Sequence, residues 1–215
     1  MKVIAHRGAW CGLEEEGIPV YQQNSKKAFE LAVRCGFGIE TDFRDVCGEV
    51  VISHNPPSRD SMPAEEFFKI LQPEQIVAVN IKADGLALEL LRLWKEFAPN
   101  SYLMAFDMSI PDTIGYVRCG FPFLERQSEY EREIVWPQAA GFWVDGFHST
   151  WFDSGFLENL LNRSCPVCVV SPELHGRDES QTWDMLEDLV QRGFSEKLWL
   201  CTDKPFAAAR RFGGH

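Results

Sequence analysis

The feature that most constrains the fold is a regular alternation of short apolar runs and amphipathic segments along the chain. Each apolar run has the length of a buried strand, and each amphipathic segment carries apolar residues at helical spacing. The predicted strands are Lys2–Ala5, Gly38–Thr41, Ile76–Ile81, Tyr102–Phe106, Phe121–Leu124, Phe142–Val144, Val167–Val170 and Leu198–Cys201. Eight β-then-α units in 215 residues predict an α/β fold, a single-domain (β/α)8 TIM barrel over residues 1–215.

Turn and cap residues indicate where the helices of these units begin and end. Asn24-Ser25 is typical of a helix N-cap, and Gly36 ends that helix after about Arg34. A short helix opens at Pro63, a residue that is favoured in the first helical turn. The other predicted helices are Asp84–Phe97, Pro111–Arg118, Glu129–Trp136, Asp153–Leu161, Asp178–Arg192 and Pro205–Arg211.

The segment after the second strand is compatible with two local structures. Residues Val46–Glu49 predict a turn around Gly48, and Val50–Ser53 either extends the second strand or pairs with it.

The alternative to the barrel is a doubly wound open sheet, which would need a glycine-rich phosphate turn after the first strand. The segment Gly8-Ala9-Trp10-Cys11-Gly12 does not match GxGxxG, and the barrel is therefore preferred.

The charge and composition of the chain limit the classes of partner that it can bind and predict where it is located. The formal net charge of −11 and the pI near 4.9 disfavour a nucleic-acid partner, which would require a basic stripe. The seven cysteines show no disulfide spacing, and Cys165 and Cys168 fall in an apolar run, so we expect reduced thiols and a cytoplasmic protein. No apolar run reaches the length of about 18 residues that predicts a transmembrane segment. Because His6 is a candidate catalytic residue close to Met1, we expect no cleavable signal peptide. A homo-oligomer is left open.

Four short polar signals stand at the carboxyl ends of predicted strands. In parallel α/β folds this edge carries the chemistry, because the strand ends meet there. The two imidazoles suit acid/base catalysis, and the neighbouring cations and oxygen ligands suit a phosphate ester and a metal. The signals are His6-Arg7-Gly8, Glu40-Thr41-Asp42, His54, and Asn80-Ile81-Lys82.

At these residues the chain resembles the glycerophosphodiester phosphodiesterase family, within the superfamily of phosphatidylinositol-specific phospholipase C. That family has His-Arg-Gly after its first strand, Glu-x-Asp at the end of its second and a short hairpin that leads to a second His. It also has Glu-x-Lys on its third strand, and often Phe-Asp and Thr-Asp at the ends of its fourth and eighth. The residues here that match these motifs include His54, Phe106-Asp107 and Thr202-Asp203. Gln23-Asn24-Ser25 stands where the family has a motif before its first helix. The resemblance runs through the whole chain in order.

The resemblance implies a phosphoric diester hydrolase of lipid metabolism that acts on a glycerophosphodiester or a similar small phosphodiester. His6 and His54 would be the catalytic acid and base, in an order that the sequence does not decide. Arg7, Lys82 and Trp143 would contact the substrate. Glu40, Asp42 and Asn80 would hold a divalent cation, Mg²⁺ or Ca²⁺.

This sequence departs from the family pattern at three positions. Asn80 replaces the third carboxylate ligand, Asn55 replaces the Asp after the second His, and Gln23 replaces the Glu before the first helix. An amide oxygen can ligate a hard cation, and Ca²⁺ accepts it more readily than Mg²⁺. The site can therefore be weakly metal-dependent, metal-free or inactive.

Two other functions stay open. One is a non-catalytic ligand-binding barrel that has lost full metal binding. The other is a barrel enzyme of different chemistry in which Lys82 forms a Schiff base. Pairing of Glu40 and Asp42 with Arg7 and Lys82 is the structural alternative to metal ligation. Glu125, Glu173 and Asp203 also end predicted strands, and most of them are expected to make structural contacts.

Overall fold

The structure is a computed structural model that describes residues 1–13, 17–131, 136–163 and 165–213. In these ranges the chain forms ten strands and seven α-helices and is a mixed α/β protein. The strands are β1 (Lys2–His6), β2 (Gly38–Val46), β3 (Glu49–Ile52), β4 (Met62–Pro63), β5 (Ile76–Ile81), β6 (Tyr102–Phe106), β7 (Leu124–Gln127), β8 (Gly141–Val144), β9 (Val167–Val170) and β10 (Leu198–Thr202). The helices are α1 (Lys26–Arg34), α2 (Ala64–Phe68), α3 (Ala87–Phe97), α4 (Ile110–Cys119), α5 (Ser154–Leu161), α6 (Ser180–Leu189) and α7 (Pro205–Phe212).

The chain divides into two compact units. The N-terminal unit is Ala5–Phe123, and the C-terminal unit comprises Met1–Ile4 and Leu124–His215. In the N-terminal unit, β5 pairs in parallel with β2 on one side and with β6 on the other. This register places Asp42 of β2 opposite Asn80 of β5. In the C-terminal unit, β7, β8, β9 and β10 pair in that order, all in parallel.

The core of the N-terminal unit explains why α1 and α2 lie where they do. The Ser25 side chain caps α1 by accepting a hydrogen bond from the backbone N–H of Ala28 at 3.3 Å. The buried face of α1 carries Phe29, whose ring meets Phe67 of α2 edge to face at 4.8 Å between centroids. Phe67 also contacts Phe43 of β2 at 5.8 Å. These fully buried aromatic rings fasten both helices to the sheet, each contributing about 1.5–3 kcal/mol by burial.

Two strand predictions change in detail. The second strand continues past Thr41 to Val46, and Glu49–Ile52 turns back to pair with it in antiparallel register, which selects one of the two predicted alternatives. The fifth predicted strand, Phe121–Leu124, was placed too early, because the observed strand is Leu124–Gln127. The shift has a physical cause: Phe121 packs on Tyr116 at the end of α4, and the strand continues through polar residues that an apolar pattern does not detect.

Seven of the eight predicted helices are confirmed in position and corrected at their ends. Helix α3 begins at Ala87 instead of Asp84, and α6 ends at Leu189 and continues as a π-helical segment, Val190–Phe194. Asp153 is the N-cap of α5. Of the predicted helix Glu129–Trp136, residues 132–135 lie outside the described ranges, and residues 129–131 are not helical. None of the described helices is both long and apolar enough to cross a lipid bilayer.

Candidate active site

The turn between β1 and α1 presents the first polar signal. Arg7 and Gly8 both have positive φ, 56° and 84°, and the N–H of Gly8 donates to the carbonyl of Ala5. A Cβ at Gly8 would lie 2.9 Å from the backbone and side chain of Ala28 in α1. The turn therefore needs glycine for its backbone angle and for its contact with the helix. His6 and Arg7 therefore lie at the start of a turn whose conformation depends on Gly8.

Glu40 is the buried acid next to this turn, with 1% of its surface exposed. Its Oε2 accepts the backbone N–H of Arg7 at 3.1 Å, and its Oε1 accepts the Nδ2–H of Asn80 at 3.1 Å. The Nε2 of His6 lies 3.8 Å from the same Oε2. Burial, followed by the charge of Asp42, raises the pKa of Glu40 to about 7, although His6, Asn80 and Arg7 act in the opposite direction. Glu40 thus orients three neighbours and can share a proton near neutral pH.

Asp42 lies two residues further along β2 and is fully buried between two cations. Its Oδ2 is 3.3 Å from Nε of Arg7, and its Oδ1 is 3.6 Å from Nζ of Lys82. Asn24 adds a hydrogen bond from Nδ2 to Oδ2 at 2.9 Å. The Oδ1 atom accepts no hydrogen bond from any described residue. Asp42 is therefore the anchor of both cations predicted to bind the phosphate.

We call Arg7, Glu40, Asp42, Asn80 and Lys82 the ion-pair cluster. All five were predicted from the sequence, and the structure brings them together in one unit. The polar side chains of Glu40 and Asp42 share one face of β2, as their spacing of two implies. In the observed arrangement both cations contact one carboxylate, Asp42, while the other, Glu40, accepts N–H groups of Arg7 and Asn80.

Three further residues support the cluster; the sequence analysis named them as motif residues but predicted none of their contacts. Asn24 accepts a hydrogen bond from Thr41 Oγ1 at 2.8 Å while its amide group holds Asp42. Gln23 accepts a hydrogen bond from Nη1 of Arg7 at 3.0 Å. Asp107, which follows β6, lies 3.9 Å from Nζ of Lys82. The sequence signals that could have predicted these contacts are polar residues at the start of a helix and at the end of a strand.

His54 lies past the end of β3 and is exposed. Its Nδ1 is 3.1 Å from Oδ1 of Asn55, and its carbonyl accepts a hydrogen bond from Nε of Arg44 at 3.1 Å. Arg44 also donates from Nη1 to the carbonyl of Lys82 at 2.9 Å. Arg44, which sequence reasoning missed, therefore ties the backbone of the second histidine to the end of β5.

A cleft of about 840 Å³ lies in the N-terminal unit. Arg7 of the first signal and His54 both line it, together with Trp10, Tyr21 and Ser58. The other predicted site residues of this unit do not line it: His6, Glu40, Asp42, Asn80 and Lys82. A ligand in this cleft would therefore meet Arg7 and an imidazole, with Asp42 in contact with the guanidinium.

The donor set does not fit a tightly held divalent cation. Both oxygens of Glu40 accept N–H groups, and Oδ1 of Asp42 faces the ammonium of Lys82. Among the oxygens of the cluster, Asp42 Oδ1 and Asn80 Oδ1 are buried without a hydrogen bond, which provides one charged and one neutral oxygen where Ca²⁺ takes about six to eight oxygen ligands. Over the described ranges, no group of three or more His, Cys, Asp or Glu residues is placed to hold a metal. The metal predicted at Glu40, Asp42 and Asn80 is thus not supported by these contacts.

The other predicted residues lie in the C-terminal unit. Trp143 is in β8 with 4% of its surface exposed, and its contact with substrate stays a prediction. Glu173 makes the structural contacts expected of a strand-end acid, accepting hydrogen bonds from Ser171, Thr202 and the N–H of Asp203. The Nε2 atom of His175 lies 2.7 Å from Oδ1 of Asp145.

The fold and the site together define an α/β protein with a buried ion-pair cluster beside an arginine- and histidine-lined cleft. No protein-family model matches the chain, and no curated protein sequence matches it either. The resemblance to the glycerophosphodiester phosphodiesterases therefore depends on the motifs alone.

Proposed function

We propose that this protein is a phosphoric diester hydrolase that acts on a glycerophosphodiester or a similar small phosphodiester, and that its strands close into a (β/α)8 barrel. The observation that carries the proposal is the position of Arg7. Arg7 lines the cleft that His54 and Gln23 also line, and its guanidinium is held by Gln23 and by the buried Asp42. A rigid, charged fork of N–H donors at the wall of a cleft is suited to phosphoryl oxygens.

The two histidines divide the proton transfers. In hydrolysis, one imidazole takes a proton from the attacking water as its oxygen bonds to phosphorus. The other gives a proton to the alkoxide that leaves when its P–O bond breaks. His6 lies beside the buried carboxylate of Glu40, which orients the ring, and His54 lies at the mouth of the cleft. The products are a phosphomonoester and an alcohol.

The contacts of Lys82 favour hydrolysis over Schiff-base chemistry. A lysine that forms a Schiff base reacts as a neutral amine. Nζ of Lys82 instead lies between the carboxylates of Asp42 and Asp107, at 3.6 and 3.9 Å. An ammonium held in this way is suited to bind an anion and to stabilise charge on a phosphoryl oxygen.

The test is turnover of glycerophosphocholine and of bis-p-nitrophenyl phosphate by the wild type and by His6→Ala and His54→Ala. Loss of a general acid or base should lower kcat/KM by about 10²–10⁴-fold in each variant. His148→Ala is the matched control, because His148 is an exposed histidine in the C-terminal unit. Turnover that survives both substitutions would show that the histidine pair is not the catalytic machinery. A wild type that binds these esters without turning them over would identify a ligand-binding protein.

A further inference from the structure

We infer that the ion-pair cluster is balanced without a divalent metal, with the ammonium of Lys82 taking the metal's place and Asn80 acting as a hydrogen-bond donor to Glu40. The inference concerns the same site as the proposed hydrolase and deepens that proposal. It depends on which atoms face one another in the cluster.

The first step is the charge count. Glu40 and Asp42 are buried acids, and Arg7 and Lys82 are the cations in contact with Asp42, at 3.3 and 3.6 Å. The two acids thus carry at most two buried negative charges, which two positive charges balance. Asp107 also approaches Lys82, but 20% of its side chain is exposed, so water screens its charge. Little negative charge remains to attract a dication.

The second step is the chemistry of position 80. Asn80 stands opposite Asp42 in the parallel register of β2 and β5, whose backbones lie about 4.8 Å apart. Its Nδ2 donates to Oε1 of Glu40 at 3.1 Å. An ionised carboxylate at this position has no N–H to donate and would be a third acid beside Glu40 and Asp42. Three clustered carboxylates would require a cation beyond Arg7 and Lys82, whereas these two cations balance two carboxylates and an amide.

The third step concerns the two buried oxygens of the cluster without hydrogen bonds, Asp42 Oδ1 and Asn80 Oδ1. Nζ of Lys82 lies 3.6 Å from the first of them. A side-chain ammonium carries three N–H donors on a flexible stem. The ammonium therefore supplies, beside Asp42, the positive charge that a bound dication would otherwise supply.

The experiment is calorimetry with MgCl₂ and with CaCl₂ on the wild type, Asn80→Glu and Asn80→Asp, alongside turnover in EDTA. The wild type should bind neither ion at millimolar concentration and should keep its activity within about twofold in the chelator. Both acidic variants should gain Ca²⁺ binding in the range of about 10⁻⁴–10⁻³ M, because a third carboxylate completes a cation site. Asn100→Glu adds the same charge at an exposed position of the same unit and should gain nothing.

Metal binding by the wild type, or activity that EDTA abolishes and Mg²⁺ or Ca²⁺ restores, overturns the inference. Failure of both acidic variants to gain binding overturns it too, because charge at position 80 would then not decide metal affinity. The two proposals fail separately. Absence of turnover under every condition removes the hydrolase, while the calorimetric comparison still decides how the cluster is balanced.

Discussion

Two polar clusters at the ends of parallel strands, one in each unit, satisfy their acids in opposite ways. Glu173 of the C-terminal unit accepts hydrogen bonds from neutral donors of Ser171, Thr202 and Asp203. In the ion-pair cluster of the N-terminal unit, Asp42 instead lies between two cations, Arg7 and Lys82. The cluster also contains buried polar atoms without hydrogen bonds: Arg7 Nε, Asp42 Oδ1 and Asn80 Oδ1.

The difference teaches where to look for function. A half-buried acid such as Glu173, satisfied by hydroxyl and backbone donors, is a structural element, because every donor around it has its acceptor. Unsatisfied buried polar atoms carry a free-energy cost, which is tolerated where a ligand or a proton transfer uses them. Both clusters follow strands of similar pattern, so the pattern alone does not separate them.

Among the substitutions that test the difference between the two clusters, we expect the largest loss of activity on replacing Lys82. Lys82→Met should lower kcat/KM by about 10²–10³-fold, the usual loss when one donor to a developing oxyanion is removed. Lys204→Met is the counterpart in the C-terminal unit, where Lys204 pairs with Glu179, and it should change kcat/KM little. Steady-state kinetics on bis-p-nitrophenyl phosphate give the comparison. Equal losses in the two variants would contradict a special role for the first cluster.

A smaller effect is expected for glycines of the two regions, and it falls on stability. Gly8→Ala should reduce the free energy of unfolding by about 1–3 kcal/mol, because positive φ and overlap with Ala28 both oppose a Cβ. Gly176→Ala shares the positive φ but has no atom within 4 Å of the added Cβ, so it should cost about 1 kcal/mol. Urea unfolding of both variants measures the difference. An equal cost would mean that the contact with α1 is unimportant.

The most modest effect is an opposite pH dependence of stability in the two regions. Burial and Asp42 raise the pKa of Glu40 from 4.5 to about 7, so the folded chain retains a proton that the unfolded chain loses. The free energy of unfolding should therefore fall as pH rises from about 4.5 to 7.

Glu129 of the C-terminal unit behaves in the reverse way. Burial opposes its ionisation, but the backbone N–H groups of His148, Ser149 and Phe147 outweigh it and lower the pKa of Glu129 to about 2. Its contribution should be lost as pH falls from about 4.5 to 2. Urea titrations across these ranges, with Glu40→Gln and Glu129→Gln, measure each slope. A slope that persists in its own variant would assign it to another group.

Much of the element order was predictable, because burial imposes local periodicity on the sequence. The run Ile76–Ile81 is a strand as predicted, and Ser25 caps α1 as its residue type suggests. The exception at Leu124–Gln127 arose because its charged and amide side chains hide the strand from an apolar pattern. Closure of a (β/α)8 barrel stays a prediction.

The candidate site was predictable in its residues and less so in its contacts. Glu40, Asp42, Asn80 and Lys82 were identified because they end strands, and strand ends of one parallel sheet lie at one edge. The predicted role of Asn80 as a metal ligand has no support in its hydrogen bond to Glu40. Asn24 and Arg44 acquire their roles only through contacts across 18 and 38 residues of sequence.

The sequence by itself determined which segments become strands and helices, and which ionisable groups stand at the strand ends, because these follow from local pattern and residue type. Only the tertiary structure decided which groups share a charge. The register that sets Asn80 opposite Asp42, and the turn that brings Arg7 to Glu40, are products of packing between distant segments. Electrostatic energy depends on separations of a few ångström, and such separations exist only once the chain has folded.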